Sequence, residues 1–175
     1  DPGRIKRGLR PRRDLGPALQ AGKRYTLIVG QGLEDAAGSH LVSTAKKHFN
    51  VGEADRVSPN PDQWTVWAPK SGSRDSLVLY LDEPVDHGLL LRLPEVVDLN
   101  GDLVPGEAFV SEGETRWMFV PDDVWIAGSF GLRVDIQLED RAGNRLDGLF
   151  DQEIDGQEVG QKRSEPFVSV PFEIE

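Results

Sequence analysis

Asp98-x-Asn100-x-Asp102 sets three oxygen-bearing side chains at alternate positions, the way a calcium-binding loop between two helices begins. Such a loop needs a glycine at its sixth position and a bidentate glutamate at its twelfth. Leu103 and Phe109 stand there instead, so the stretch reads as a turn. Asp35 and Asp140 each precede a glycine, Gly38 and Gly143, by three residues. That spacing suits a turn whose carboxylate accepts backbone N–H groups while the glycine takes positive φ; a metal at the end of a domain is the alternative chemistry. His40, His48 and His87 lack ligand spacing, and the chain has no cysteine, which removes Cys/His zinc sets, disulfides and thiol catalysis. Ser111, Ser129 and Ser169 lie in no Gly-x-Ser-x-Gly context, so a hydrolase nucleophile has no elbow to sit on. Among 30 acids, neighbours such as Asp122 and Asp123 are adjacent by chance rather than as a glycosidase pair. Trp64 and Trp67 fall on opposite faces of one strand, so one ring belongs on the wet side, where it can hold a sugar. Trp117 and Trp125 read as core. The expectation is a protein without catalysis or cofactor.

The turn residues belong to an internal repeat. AGKRYTLIVGQGLEDAAGSHL, residues 21–41, and AGSFGLRVDIQLEDRAGNRL, residues 127–146, share their grammar after a one-residue gap. Tyr25 falls on Phe130, Leu27 on Leu132, Val29 on Val134, Asp35 on Asp140, Gly38 on Gly143 and Leu41 on Leu146. Asn144 completes the second turn where the first has Ser39. In the second copy Phe130, Leu132, Val134 and Ile136 alternate with Gly131, Arg133, Asp135 and Gln137, the period of a strand with one buried and one wet face.

Composition agrees with strands. The chain is 38% hydrophobic with 19 Gly and 12 Pro; its apolar runs have strand length and no long 3.6-residue pattern, which predicts an all-β chain with many turns. Strands are expected at 3–10, 24–29, 47–51, 64–67, 77–81, 95–99, 104–110, 116–120 and 168–174, and a helical turn within the leucine-dense 85–91. Asn100-Gly101 between two strands predicts a type I′ hairpin, and Pro171 predicts an edge strand. The segment GEADRVSPNPD, residues 52–62, has linker composition. It divides the chain into a unit at 1–56 and a second at 57–175, the latter with a polar insertion at 147–164.

Net charge is −10, unevenly spread. Residues 1–24 hold 8 of the 20 Lys and Arg but 2 of the 30 acids. The acidic body repels nucleic acid and anionic membrane, and the basic cluster has no interleaved aromatics to stack bases, so no nucleic-acid partner is expected. No run approaches the roughly 18 apolar residues of a membrane span, and the charged opening DPGRIKRGLR is no signal peptide.

Taken together, Glu83-Pro84-Val85-Asp86, Asn100-Gly101, the 117–121 strand, the Ala127-Gly128 turn and LEDRAGNRL at 138–146 resemble the bacterial immunoglobulin-like domains of large surface and periplasmic proteins. The resemblance covers residues 62–175 as a whole domain and residues 2–52 as the later half of another. It implies an immunoglobulin-like β-sandwich preceded by a partial unit, an extracytoplasmic location, and a structural or protein-interaction role, with a carbohydrate-binding accessory module as the second reading. A three-stranded half-unit must cover its apolar face with something. The expected partner is therefore protein, either another chain, with homo-oligomerisation as one form, or an N-terminal segment of the same protein.

Overall fold

Alternating sequence becomes antiparallel sheet in the described parts of both units. The structure, a computed structural model, describes residues 14–149 and 165–175. The strand read at 3–10 and most of the insertion read at 147–164 lie outside the described residues. Contacts divide the chain into two compact units, Asp1–Asp55 and Arg56–Glu175.

In the first unit, β1 (Arg24–Val29) pairs antiparallel with β2 (Ala45–Asn50). The register sets Tyr25 opposite Phe49, Leu27 opposite Lys47 and Val29 opposite Ala45, so one face is almost wholly apolar. The Tyr25 and Phe49 rings stack with centroids 6.0 Å apart.

The second unit holds β3 (Thr65–Trp67), β4 (Leu77–Tyr80), helix α1 (His87–Arg92), β5 (Pro94–Asp98), β6 (Gly106–Ser111), β7 (Arg116–Pro121), β8 (Gly128–Asp135) and β9 (Phe167–Ile174). They make a four-stranded sheet, β3-β4-β7-β6, and a three-stranded one, β5-β8-β9. Leu77, Leu79, Trp117 and Phe119 of the first sheet share one core with Val96, Leu132, Val134 and Phe172 of the second. Phe130 and Ile136 pack against that core half-buried, at the ends of the layer. Trp125 joins the layers. Its ring stands edge-on to Phe130 and Phe172 and tilts on Phe119, while its Nε1 donates to the Asp75 carbonyl at 2.9 Å. The leucine-dense stretch forms α1 because Asp86 caps it, its carboxylate accepting from Leu89 N–H at 2.8 Å, and Leu90 is then driven into the core. Pro171 lies on the edge strand β9, where a missing N–H costs no ladder bond.

The expected Asn100-Gly101 hairpin is corrected. β5 and β6 belong to different sheets, and of the two turn residues only Gly101 has positive φ, at +85°, which excludes type I′. After a brief return, with Val104 N–H donating to Val96 C=O at 2.9 Å, the chain crosses to the opposite layer at Pro105. The crossing explains Gly106. A Cβ there would meet Phe119 Cζ and the Val120 carbonyl at 2.4 Å each, so β6 enters its sheet only without a side chain. Gly106→Ala is expected to cost roughly 1–3 kcal/mol through overpacking; an unchanged urea midpoint would show that the start of β6 shifts freely.

Candidate functional site

The residues singled out for chemistry resolve into one turn used three times. In each, an aspartate is followed three residues later by a glycine with positive φ: Gly38 at +80°, Gly101 at +85°, Gly143 at +88°. The Asp Oδ1 accepts two backbone N–H groups, from the second and fourth residues on. Asp35 takes those of Ala37 and Ser39 at 2.8 and 2.9 Å. Asp98 takes Asn100 and Asp102 at 2.8 and 2.9 Å, and Asp140 takes Ala142 and Asn144 at 2.7 and 2.8 Å. Each glycine N–H donates to the carbonyl of its aspartate, and each aspartate N–H to the carbonyl four residues on. Outside the turn an apolar pair closes the loop: Leu41 N–H to Leu33 C=O, Val104 to Val96, Leu146 to Leu138. Two copies follow from the repeat. The copy at Asp98 is hidden there, because Asn100-Gly101 imitates a hairpin dipeptide and its flanking residues lie outside the repeated stretch.

This geometry decides what the aspartates can do. One oxygen of each is committed to the turn, so none offers a free bidentate carboxylate to a cation. Asn100 Nδ2 occupies Asp98 Oδ2 at 3.2 Å, which turns a donor, not an oxygen, toward the carboxylate of the Asp98-Asn100-Asp102 set. Its turn N–H bonds, that from Asp102 foremost, hold the Asp98 carboxyl below its usual value. Asn144 Nδ2 likewise donates to Asp140 Oδ2 at 2.7 Å and to the Val57 carbonyl at 3.1 Å. Asp140 and Asn144 are the two buried polar residues of the described core, so this copy fastens the residue 57 segment to the end of the sandwich. Ser39, shorter, stands in the exposed copy.

A carboxylate oxygen of Glu83 lies within 4.8 Å of one of Asp140, a proximity that the sequence spacing does not reveal. The histidines sit apart, each on a different neighbour: His40 Nε2 is 3.6 Å from Glu34, His87 Nδ1 3.4 Å from Glu114, and His48 Nδ1 2.8 Å from Thr26 Oγ1. Arg141 also pairs with Glu114 and, as the largest influence, holds its carboxyl below the usual value.

A shallow cleft of about 300 Å³ lies beside the end of α1, lined by Arg92, Glu95, Arg133, Asp135 and Phe167 among others. Two of its charges face each other, Arg133 bonding Glu95 at 2.8 Å and covering the Phe167 ring at 5.4 Å, while Arg92 donates to the Gly88 carbonyl and Asp135 accepts the Gln137 N–H. Of the two tryptophans considered for ligand binding, Trp64 is withdrawn from that role, being buried with its Nε1 donating to Asp82 Oδ1 at 2.9 Å. Trp67 is 54% exposed on β3.

No helix among the described residues is long and apolar enough to cross a membrane. Comparison with known proteins finds no matching family model, no matching curated protein and no matching solved structure.

Proposed function

We propose that the chain is a non-catalytic, immunoglobulin-like structural and protein-interaction module of a bacterial extracytoplasmic protein. The observation that carries the interaction reading is a mismatch between two copies of one hairpin. β1 and β2 share most of the inner-face pattern of β8 and β9, with Lys47 opposite Leu27 where Val170 stands opposite Leu132, and they keep the stacked aromatic pair: Tyr25 on Phe49 at 6.0 Å, Phe130 on Phe172 at 5.7 Å. Leu132 in the second hairpin is 0% exposed, whereas its counterpart Leu27 in the first is 55% exposed. The second hairpin is covered by a sheet that presents Leu77, Leu79, Trp117 and Phe119. The face of Tyr25, Leu27, Val29 and Phe49 calls for a cover of the same kind, because a two-stranded hairpin is marginal in water on its own. A polypeptide sheet with an apolar inner face, from another chain or from further sequence of the same protein, supplies it.

With nothing else offered, the chain itself is the available partner. Gel filtration with light scattering should then show concentration-dependent association, abolished by Leu27→Asp with the second unit's unfolding midpoint unchanged. A monomer at every concentration, with residues 14–55 resistant to protease, would mean that the face is already covered and would remove the interaction reading.

A further inference from the structure

The outer face of the four-stranded sheet carries a different surface. Strand pairing sets Trp67 against Val78, Val78 against Met118 and Met118 against Phe109, so four apolar side chains form one row across all four strands. Beside it Thr65, Tyr80, Arg116 and Ser111 form a parallel polar row, two residues along each strand. Trp67, Phe109 and Tyr80 are 54%, 41% and 40% exposed, while Val78 between them is buried, so the larger side chains close over it. Charge in the two rows is confined to Arg116, which is compensated by Glu112 at 2.8 Å and lies over the Tyr80 ring at 5.5 Å. Ser111 Oγ and Arg116 Nε are themselves buried, so the polar row meets solvent through Thr65 and Tyr80, both exposed, and through the outer part of the Arg116 guanidinium.

We propose that this face binds a linear, uncharged glycan laid across the strands, its C–H faces on Trp67 and Phe109 and its hydroxyls toward Thr65, Tyr80 and the outer guanidinium nitrogens of Arg116. An apolar row beside a row of donors matches a pyranose, which has an apolar face and a polar rim. Neutrality follows from the compensated arginine and from a chain with net charge −10, which repels polyanions. The patch is narrow: with strands about 4.8 Å apart and two residues spanning about 6.8 Å, the two rows cover roughly 14 by 7 Å. Among the described residues β3 and β6 are both edge strands, which leaves the ends of the row without a neighbouring strand and suits a polymer. The site lies in the second unit and is independent of the hairpin face on which the interaction reading rests.

Titrating the full chain with neutral hexasaccharides of β-linked glucose, N-acetylglucosamine, xylose and mannose, with heparin as the anionic comparison, tests the assignment. At least one neutral oligosaccharide should change tryptophan fluorescence. Trp67→Ala and Phe109→Ala should each weaken its binding about tenfold or more while the chain remains folded by circular dichroism, and heparin should leave the signal flat. Absence of binding across the neutral panel, binding undiminished in Trp67→Ala, or preference for heparin would each overturn the proposal. So would a dimer that Trp67→Ala abolishes and Leu27→Asp leaves intact, which would give this face to a second copy. That last result would also contradict the Leu27 prediction, whereas the glycan results leave it untouched.

Discussion

Leu132→Ala is expected to destabilise the second unit by roughly 2–5 kcal/mol, and Arg133→Ala, one residue along the same strand, by under about 1 kcal/mol. The contrast comes from the strand's period of two. Leu132 is fully buried between the sheets, and truncating it removes three heavy atoms from a packed site. The walls include Trp117 and Val96, held by their own strands and unable to collapse into the gap, so a cavity term adds to the lost transfer energy. Arg133 points outward. Its 2.8 Å bond to Glu95 joins two partly exposed side chains, 30% and 45% accessible, where solvent screens the attraction and ordering two long side chains offsets most of what remains. Its packing on Phe167 adds a little more. Urea unfolding of the two variants measures both numbers. Equal losses would mean that the pairing of β8 with β5 and β9 is shifted by one residue.

That phase was readable in the chain because alternation specifies which face is buried. Alternation does not specify which sheet a strand joins. The inner faces of β5 and β6 are both apolar, since both contribute to one core, and their periodicity would be the same if they were hydrogen-bonded neighbours. The dipeptide Asn100-Gly101 then favours a hairpin locally, yet the aspartate two residues earlier prevails: its carboxylate caps two N–H groups, and a single left-handed glycine suffices. Trp64 misleads for a related reason. Counting from Trp67 puts the two rings on opposite faces and leaves open which one is wet. The answer depends on Asp82, which accepts the Trp64 indole N–H and closes the end of the core over it. The proximity of Glu83 to Asp140 depends on how two distant loops meet, which no local pattern records. By contrast a helical turn was legible, since leucines this dense cannot alternate in and out of a half-exposed strand; the Asp86 cap supplies what that density does not specify, where the helix starts.

The three aspartate turns also allow one local structure to be compared in two environments. Asp140→Ala is expected to cost roughly 2–4 kcal/mol, and Asp35→Ala under about 1 kcal/mol, although the two carboxylates accept the same two backbone N–H groups at nearly the same distances. In the first unit the turn is exposed, so water replaces the lost acceptor and the cost is the small net value of a solvated hydrogen bond. Around Asp140 water has little access. The residue is 3% exposed and Asn144 is 1% exposed, so removing the carboxylate leaves the Ala142 N–H, the Asn144 N–H and the Asn144 side-chain amide without it. The amide's remaining bond to Val57 loses the partner that orients it, so the loss should extend to the segment at residue 57, seen as faster proteolysis there. Thermal unfolding with and without calcium separates this turn role from a metal role. If calcium raises the melting temperature of the native chain and the rise vanishes in Asp140→Ala, the carboxylate serves a cation at the end of the sandwich. If the melting temperature ignores calcium and falls in Asp140→Ala, the carboxylate's work is to satisfy buried donors, and Asp140→Asn should recover only part of the loss, because an amide oxygen accepts the turn N–H groups more weakly than a carboxylate does.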